Sequence, residues 1–169
     1  EEARPWFVNV IDWYREWPCA RKTGLGTPLP WDKSWNVETL SDSTVYNAFY
    51  TMSKFVNAGL VPVEGLVPEV FDYVFLGRGR VDDVAGESGL DPKLLSAMRD
   101  EFLYWYPVDL RVSAKELLPN HLTFFLFQHI ALFEKRHWPK GISVNGMINI
   151  EGRKMSKSTG VFVPARVAV

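Results

Sequence analysis

The chain has 169 residues, a net charge of −1, and 47% hydrophobic, 14% aromatic and 23% charged residues. That length fits one ordinary globular domain, able to bury about two-thirds of its extended surface. With 7 Trp, 6 Tyr and 11 Phe it is no disordered tail, 1 Cys makes no disulfide scaffold, and 19 Lys+Arg against 20 Asp+Glu give no overall positive field for nucleic acid.

No apolar run approaches the roughly 18 residues that a bilayer-spanning helix requires. The opening Glu-Glu-Ala-Arg-Pro carries no signal-peptide pattern. Both ends read as cuts within a longer protein, and the lone Cys19 fits a reducing, cytoplasmic setting. Apolar residues at 6, 7, 10, 13, 14 and 17 predict a helix from Trp6 to Trp17, closed by Pro18. The Gly- and Pro-rich stretch Arg21–Pro30 reads as a shaped loop. Ser41-Asp42-Ser43 offers N-caps for a helix running to about Asn57 and ending at Gly59, with Val45, Phe49, Met52 and Val56 on its apolar face.

From Val61 to Gly89 the chain is punctuated by Pro62, Gly65, Pro68, Gly77, Gly79, Gly86 and Gly89, which suggests an insertion with one helix near Glu69–Phe75. Asp91-Pro92 opens another helix, expected to reach roughly Phe102. Together residues 60–100 form a probable helical insertion. Tyr104–Val112 reads as a buried strand, weakened by Pro107. Pro119 to about Lys135 reads as a helix with almost no wet face, through Phe124, Phe125, Phe127, Ile130, Leu132 and Phe133. Ile142–Ile150 is a second strand. Strand, helix, strand in that order predicts an α/β fold with parallel strands and a right-handed crossover.

After that second strand comes Glu151-Gly152-Arg153-Lys154-Met155-Ser156-Lys157-Ser158-Thr159-Gly160. A Gly-punctuated loop at the carboxyl end of a parallel strand lies where open α/β sheets bind ligands. Lys154 and Lys157 are compact charges suited to phosphate oxygens, and Ser156 and Ser158 add hydroxyl donors. By residue type alone the loop is equally a solvated basic turn. Its order says more: Lys154-Met155-Ser156-Lys157-Ser158 is the KMSKS string of class I aminoacyl-tRNA synthetases. Chance would place it in a chain of this length about once in ten thousand or more rarely.

The resemblance runs beyond that string. Gly24-Leu25-Gly26-Thr27-Pro28-Leu29-Pro30-Trp31-Asp32, Leu40-Ser41-Asp42-Ser43-Thr44, Phe71-Asp72-Tyr73-Val74-Phe75-Leu76-Gly77, Tyr104-Trp105-Tyr106-Pro107-Val108-Asp109-Leu110-Arg111-Val112-Ser113 and Pro119-Asn120-His121-Leu122 resemble the leucyl-tRNA synthetase family of archaeal and eukaryotic type. The resemblance implies the C-terminal half of a Rossmann-like class I catalytic domain carrying a helical insertion. Editing and anticodon-binding domains are absent from residues 1–169, as is the HIGH string of the other half. The isolated piece is therefore expected to be inactive. The implied reaction is ATP-dependent activation of leucine and its transfer to tRNA(Leu), with Mg²⁺ accompanying ATP and the remaining domains of the parent chain as partners.

Carried over residue by residue, the resemblance makes Lys157, assisted by Lys154, the group that neutralises charge on departing pyrophosphate. Ser113, Glu116, Asn120, His121, Met147, Ile148, Met155, Ser156 and Ser158 become the ATP-binding candidates. Ser43, Tyr46 and His121 become the amino-acid pocket. Three departures from the pattern stand out: Ala114 for Gly and Glu116 for Asp in the S-G-K-D stretch, and Val161 for Asn after KMSKS. They motivate a rival reading, a non-catalytic nucleotide- or tRNA-binding paralogue. His129 reads as structural, while His137 and Cys19 suggest no metal site. Arg21, Lys22, Arg78 and Arg80 are candidate tRNA-phosphate contacts. Trp6, Trp13, Trp17, Trp31 and Trp35 read as buried, or as a face that other domains would cover.

Overall fold

The computed structural model describes residues 3–147, 149–158 and 160–168, apart from the side chains at 42, 43, 165 and 168. Helix α1 spans Ala3–Trp13 and stops short of Trp17. Tyr14 and Trp17 leave the helix to pack instead on Phe124, with ring centroids 5.9 and 4.9 Å away. The Gly/Pro loop is framed by a short antiparallel pair, β1 (Ala20–Arg21) and β2 (Asn36–Val37). Two-residue strands leave too little alternation to be read from sequence.

The expected single helix from Ser41 is two. Helix α2 (Thr39–Ser43) is capped by Glu38, whose carboxylate accepts from Leu40 N at 2.9 Å, so Ser41–Ser43 lie inside it rather than capping the next. Helix α3 runs Tyr46–Asn57. Its buried residues are Ala48, Thr51 and Met52, while Phe49 is exposed, so the apolar face is turned from the expected one.

Residues 60–100 hold more order than their glycines suggested. Helix α4 (Pro68–Phe71) continues into a π turn, Asp72–Leu76. Helix α5 (Val81–Ser88) follows, and α6 (Pro92–Trp105) is capped by the Asp91 carboxylate on Lys93 N at 2.7 Å. The glycines mostly end helices instead of preventing them: Gly77 and Gly89 both sit at φ +70° just past a helix end. Arg99 then closes the π turn, donating from Nη1 to Tyr73 O (2.8 Å) and Val74 O (3.0 Å). The larger core lies here, with Met52, Val70, Val74, Leu95, Met98 and Phe102 fully enclosed.

The strand expected over Tyr104–Val112 is displaced. Tyr104 and Trp105 finish α6, Tyr106–Pro107 is a cis bond, and β3 is only Arg111–Ala114. Proline supplies no ladder donor, which fits its place outside the strand. A 3₁₀ turn (Lys115–Leu117) and a π turn (Leu118–Leu122) lead into α7 (Thr123–Leu132). The expected dry helix has one dry side only: Phe124 and Phe125 are buried, but Phe127, Ile130 and Leu132 are exposed.

β4 (Ile142–Asn145) pairs with β3 in parallel, Arg111 against Ile142 through Ala114 against Asn145, as the strand–helix–strand order required. The second strand ends there, five residues earlier than expected. A small antiparallel hairpin follows, β5 (Asn149–Ile150) and β6 (Arg153–Lys154), and α8 (Ala165–Ala168) closes the described chain. A second apolar cluster, Val10 with Leu118 and Leu122, packs α1 and the π turn against Ile142 and Val144 of the parallel pair.

Candidate active site

The KMSKS loop is built by the hairpin. The Glu151-Gly152 turn takes φ +48° and +77°, the twist that joins antiparallel strands tightly. Lys154 ends β6, so the loop hangs from this hairpin and not directly from the parallel strand, as the sequence had suggested. Beyond it Ser156 N donates to Val161 O at 2.7 Å and Gly160 N to Lys157 O at 3.2 Å, drawing Ser156 to Val161 and Lys157 to Gly160. The Ser156 and Ser158 hydroxyls lie 2.9 Å apart. Lys154 and Lys157 are exposed, and a hollow of about 520 Å³ is lined by Met155, Ser156, Lys157, Phe162, Val163 and Pro164.

A second group of candidates meets between β3, α3 and the Leu118–Leu122 turn. His121 is half-buried, its ring centroid 6.3 Å from that of Tyr46. Asn120 braces the turn: its amide donates to Glu116 O at 3.2 Å, and its Oδ1 accepts from His121 N at 2.5 Å. The Tyr14 hydroxyl donates to Pro119 O. Beside Tyr46 and His121 lies Arg111, to which the sequence alone assigns no role. Its Nη2 is 3.3 Å from His121 Nε2, and its guanidinium is 5.8 Å from the Tyr46 ring centroid and 6.0 Å from that of Phe125. Alternation along β3 puts Arg111 on the same strand face as the buried Ser113, which gives the side but not the partners. Burial first, and then the nearby Arg111 charge, hold the His121 imidazole below its ordinary pKa.

The remaining candidates stand apart from these groups or outside the described residues. Glu116 and Lys115 are exposed on the 3₁₀ turn, and Met147 is half-buried before the hairpin. Ile148 and the Ser43 side chain lie outside the described residues. Nearby, buried Thr44 and Ser41 hydroxyls have no hydrogen-bond partner, and Gln128 reaches from α7 to donate to Ser41 O at 3.1 Å. Among the described contacts none joins Lys154 or Lys157 to Tyr46 or His121. His129 is structural: it is fully buried, its Nδ1 lies 2.7 Å from Phe125 O and its Nε2 3.2 Å from the Tyr106 hydroxyl. Of the two expectations for the tryptophans, burial does not hold for Trp13 and Trp31, which are 73% and 81% exposed.

Comparison with known proteins fits this geometry. Residues 98–169, from α6 through the KMSKS loop, match the family described as tRNA synthetases class I (M). That matched stretch is thus class I aminoacyl-tRNA synthetase-like sequence, and it contains the short parallel sheet. Within that class the whole chain is 55% identical over 97% of its length to a leucine--tRNA ligase of Methanococcus maripaludis strain C7. It is 50% identical over 100% of its length to that of Methanothrix thermoacetophila, and 52% identical over 96% to that of Archaeoglobus fulgidus. The chain covers 17% of the first of these relatives and 18% of the other two.

Proposed function

We propose that this chain is part of a leucine–tRNA ligase, contributing one side of the site that activates leucine with ATP and passes it to tRNA(Leu). The observation that carries this reading is identity of 50–55% to leucine--tRNA ligases across almost the whole chain, with KMSKS intact on its hairpin-borne loop. In the proposed reaction the leucine carboxylate attacks the α-phosphorus of ATP and pyrophosphate leaves. The protein's work in such chemistry is positioning and charge stabilisation. Lys157, on the hollow's wall, would offset charge growing on the pyrophosphate, and Lys154 would assist. Ser156 and Ser158 would hold the loop or donate to phosphate, with Met155 beside them.

Ser113, Glu116, Asn120, Met147 and Ile148 are proposed toward ATP, and Ser43, Tyr46 and His121 toward leucine. His121 is also a candidate for ATP. Among the described residues no three of His, Cys, Asp or Glu gather to hold a metal. Mg²⁺ would enter with the nucleotide, ligated largely by phosphate oxygens and water as is usual for this ion. The same reading makes the fold half of a Rossmann-like domain with residues 60–100 as its helical insertion, and places the protein in the cytoplasm. No described helix is long and apolar enough to cross a membrane. Because residues 1–169 contain no HIGH string, they alone are expected to form no adenylate.

The test is leucine-dependent ATP–pyrophosphate exchange by the full-length parent. Lys157→Ala should raise the barrier by about 2–4 kcal/mol, lowering the rate roughly 30- to 1,000-fold. An unchanged rate would remove Lys157 from the chemistry. A parent that binds tRNA yet makes no adenylate would favour the non-catalytic paralogue.

A further inference from the structure

The chemistry left unused by this reading concentrates on Arg111. Its Nη2 lies 3.3 Å from His121 Nε2, and its Nε is buried without a hydrogen-bond partner. A guanidinium only donates and keeps its proton at any ordinary pH. His121 Nε2 must therefore accept, which leaves the imidazole neutral with its proton on Nδ1. The Tyr46 and Phe125 rings flank the guanidinium at 5.8 and 6.0 Å and hold it in place. The result is a buried Arg111 Nε–H without a described acceptor beside an imidazole whose remaining donor is Nδ1, a pair of donors that an anionic oxygen would satisfy.

We propose that Arg111 is a positioning residue: it fixes His121 as a neutral, Nδ1-protonated donor toward an anionic oxygen of the bound amino acid or nucleotide. This deepens the ligase reading and rests on it. Around His121 the other charged or titratable neighbours are few. Tyr46 faces it from α3, Lys115 and Glu116 are exposed on the preceding turn, and Tyr14 turns its hydroxyl to Pro119 O. Arg111 is the charged group that acts on the imidazole, in the direction of keeping it unprotonated. Without that cation, Nε2 is open to a proton in mild acid, and the ring turns from a neutral donor into a cation.

The experiment compares full-length wild-type, Arg111→Gln and Arg111→Lys enzymes in leucine-dependent ATP–pyrophosphate exchange between pH 5.5 and 8. Arg111→Gln should move the acid limb of kcat/KM upward, so that activity relative to wild type falls further at pH 6 than at pH 8. Arg111→Lys keeps a cation beside the ring and should keep the acid limb, while raising KM because it lacks the planar fork. A raised KM for leucine assigns the oxygen to the amino-acid carboxylate, and a raised KM for ATP assigns it to phosphate. Superimposable Gln and wild-type profiles, or equal shifts in Gln and Lys, would overturn the inference alone. Wild-type enzyme without leucine-dependent exchange would overturn the ligase reading and this inference with it.

Discussion

Phe102 is fully buried and stacks on Tyr106 at 4.6 Å, with Phe75, Phe133 and His137 around it at 5.3, 5.7 and 5.3 Å. Phe102→Ala leaves a void that rings from α6, α7 and the π turn cannot all collapse into, so unfolding in urea should show a loss of about 3–5 kcal/mol. His129, next to this cluster, carries a pH dependence. Burial, partly offset by the Phe125 carbonyl, holds its imidazole below the ordinary value in the folded state. The unfolded chain then binds a proton that the folded chain refuses, so stability is complete above about pH 6.5 and falls as the pH drops below it. The slope from this residue is at most about 1.4 kcal/mol per pH unit. His129→Gln should flatten the stability curve between pH 6.5 and 5, and an equally steep variant would contradict the assignment.

The hairpin under the KMSKS loop sets the next prediction, at the level of the element. Glu151 occupies φ +48°, where a side chain is costly, and Gly152 occupies φ +77°, where glycine is at ease. Gly152→Ala should weaken β5–β6 by about 1–2 kcal/mol, read as roughly five- to thirtyfold faster amide exchange across the Asn149–Lys154 pairing. Exchange unchanged by Gly152→Ala would show that the turn does not hold the hairpin. This element also shows where sequence reading stops. The run Ile142–Ile150 is apolar enough for one strand, and only the end of the β3–β4 pairing at Asn145 and the Glu151-Gly152 turn reveal that β4 stops and a hairpin starts. The parallel pairing itself was legible, because strand, helix and strand leave few alternatives. Helix α5 was not, because Gly86 within it and glycines on both sides carry the same letters as a loop. The KMSKS string was legible letter by letter. Arg111 was not, since nothing along the chain says that residue 111 meets residues 46 and 121.

Across the whole molecule, burial is uneven. The core of α3 to α6 is closed, whereas Phe127, Ile130 and Leu132 on α7, Phe49 on α3, and Trp13 and Trp31 near the start face solvent. Phe49 and Leu132 also line a cavity of about 470 Å³, together with Phe71, Phe75 and Phe133. Such a surface gains by covering itself, about 25 cal/mol for each Å² removed from water. Repulsion between copies opposes that gain weakly, because the net charge is −1 and the isoelectric point lies near 6.4. Purified chain should therefore self-associate with rising concentration, most strongly near pH 6.4 and less at pH 8.5, as measured by sedimentation velocity. Ile130→Lys places a charge on an exposed position, so it should reduce association while changing folding stability by less than about 0.5 kcal/mol. Phe125→Ala, on the buried side of the same helix, should cost about 3–5 kcal/mol. A chain that sediments as a single 19.4 kDa species at every pH would show that these exposed side chains are too scattered to act as one apolar face.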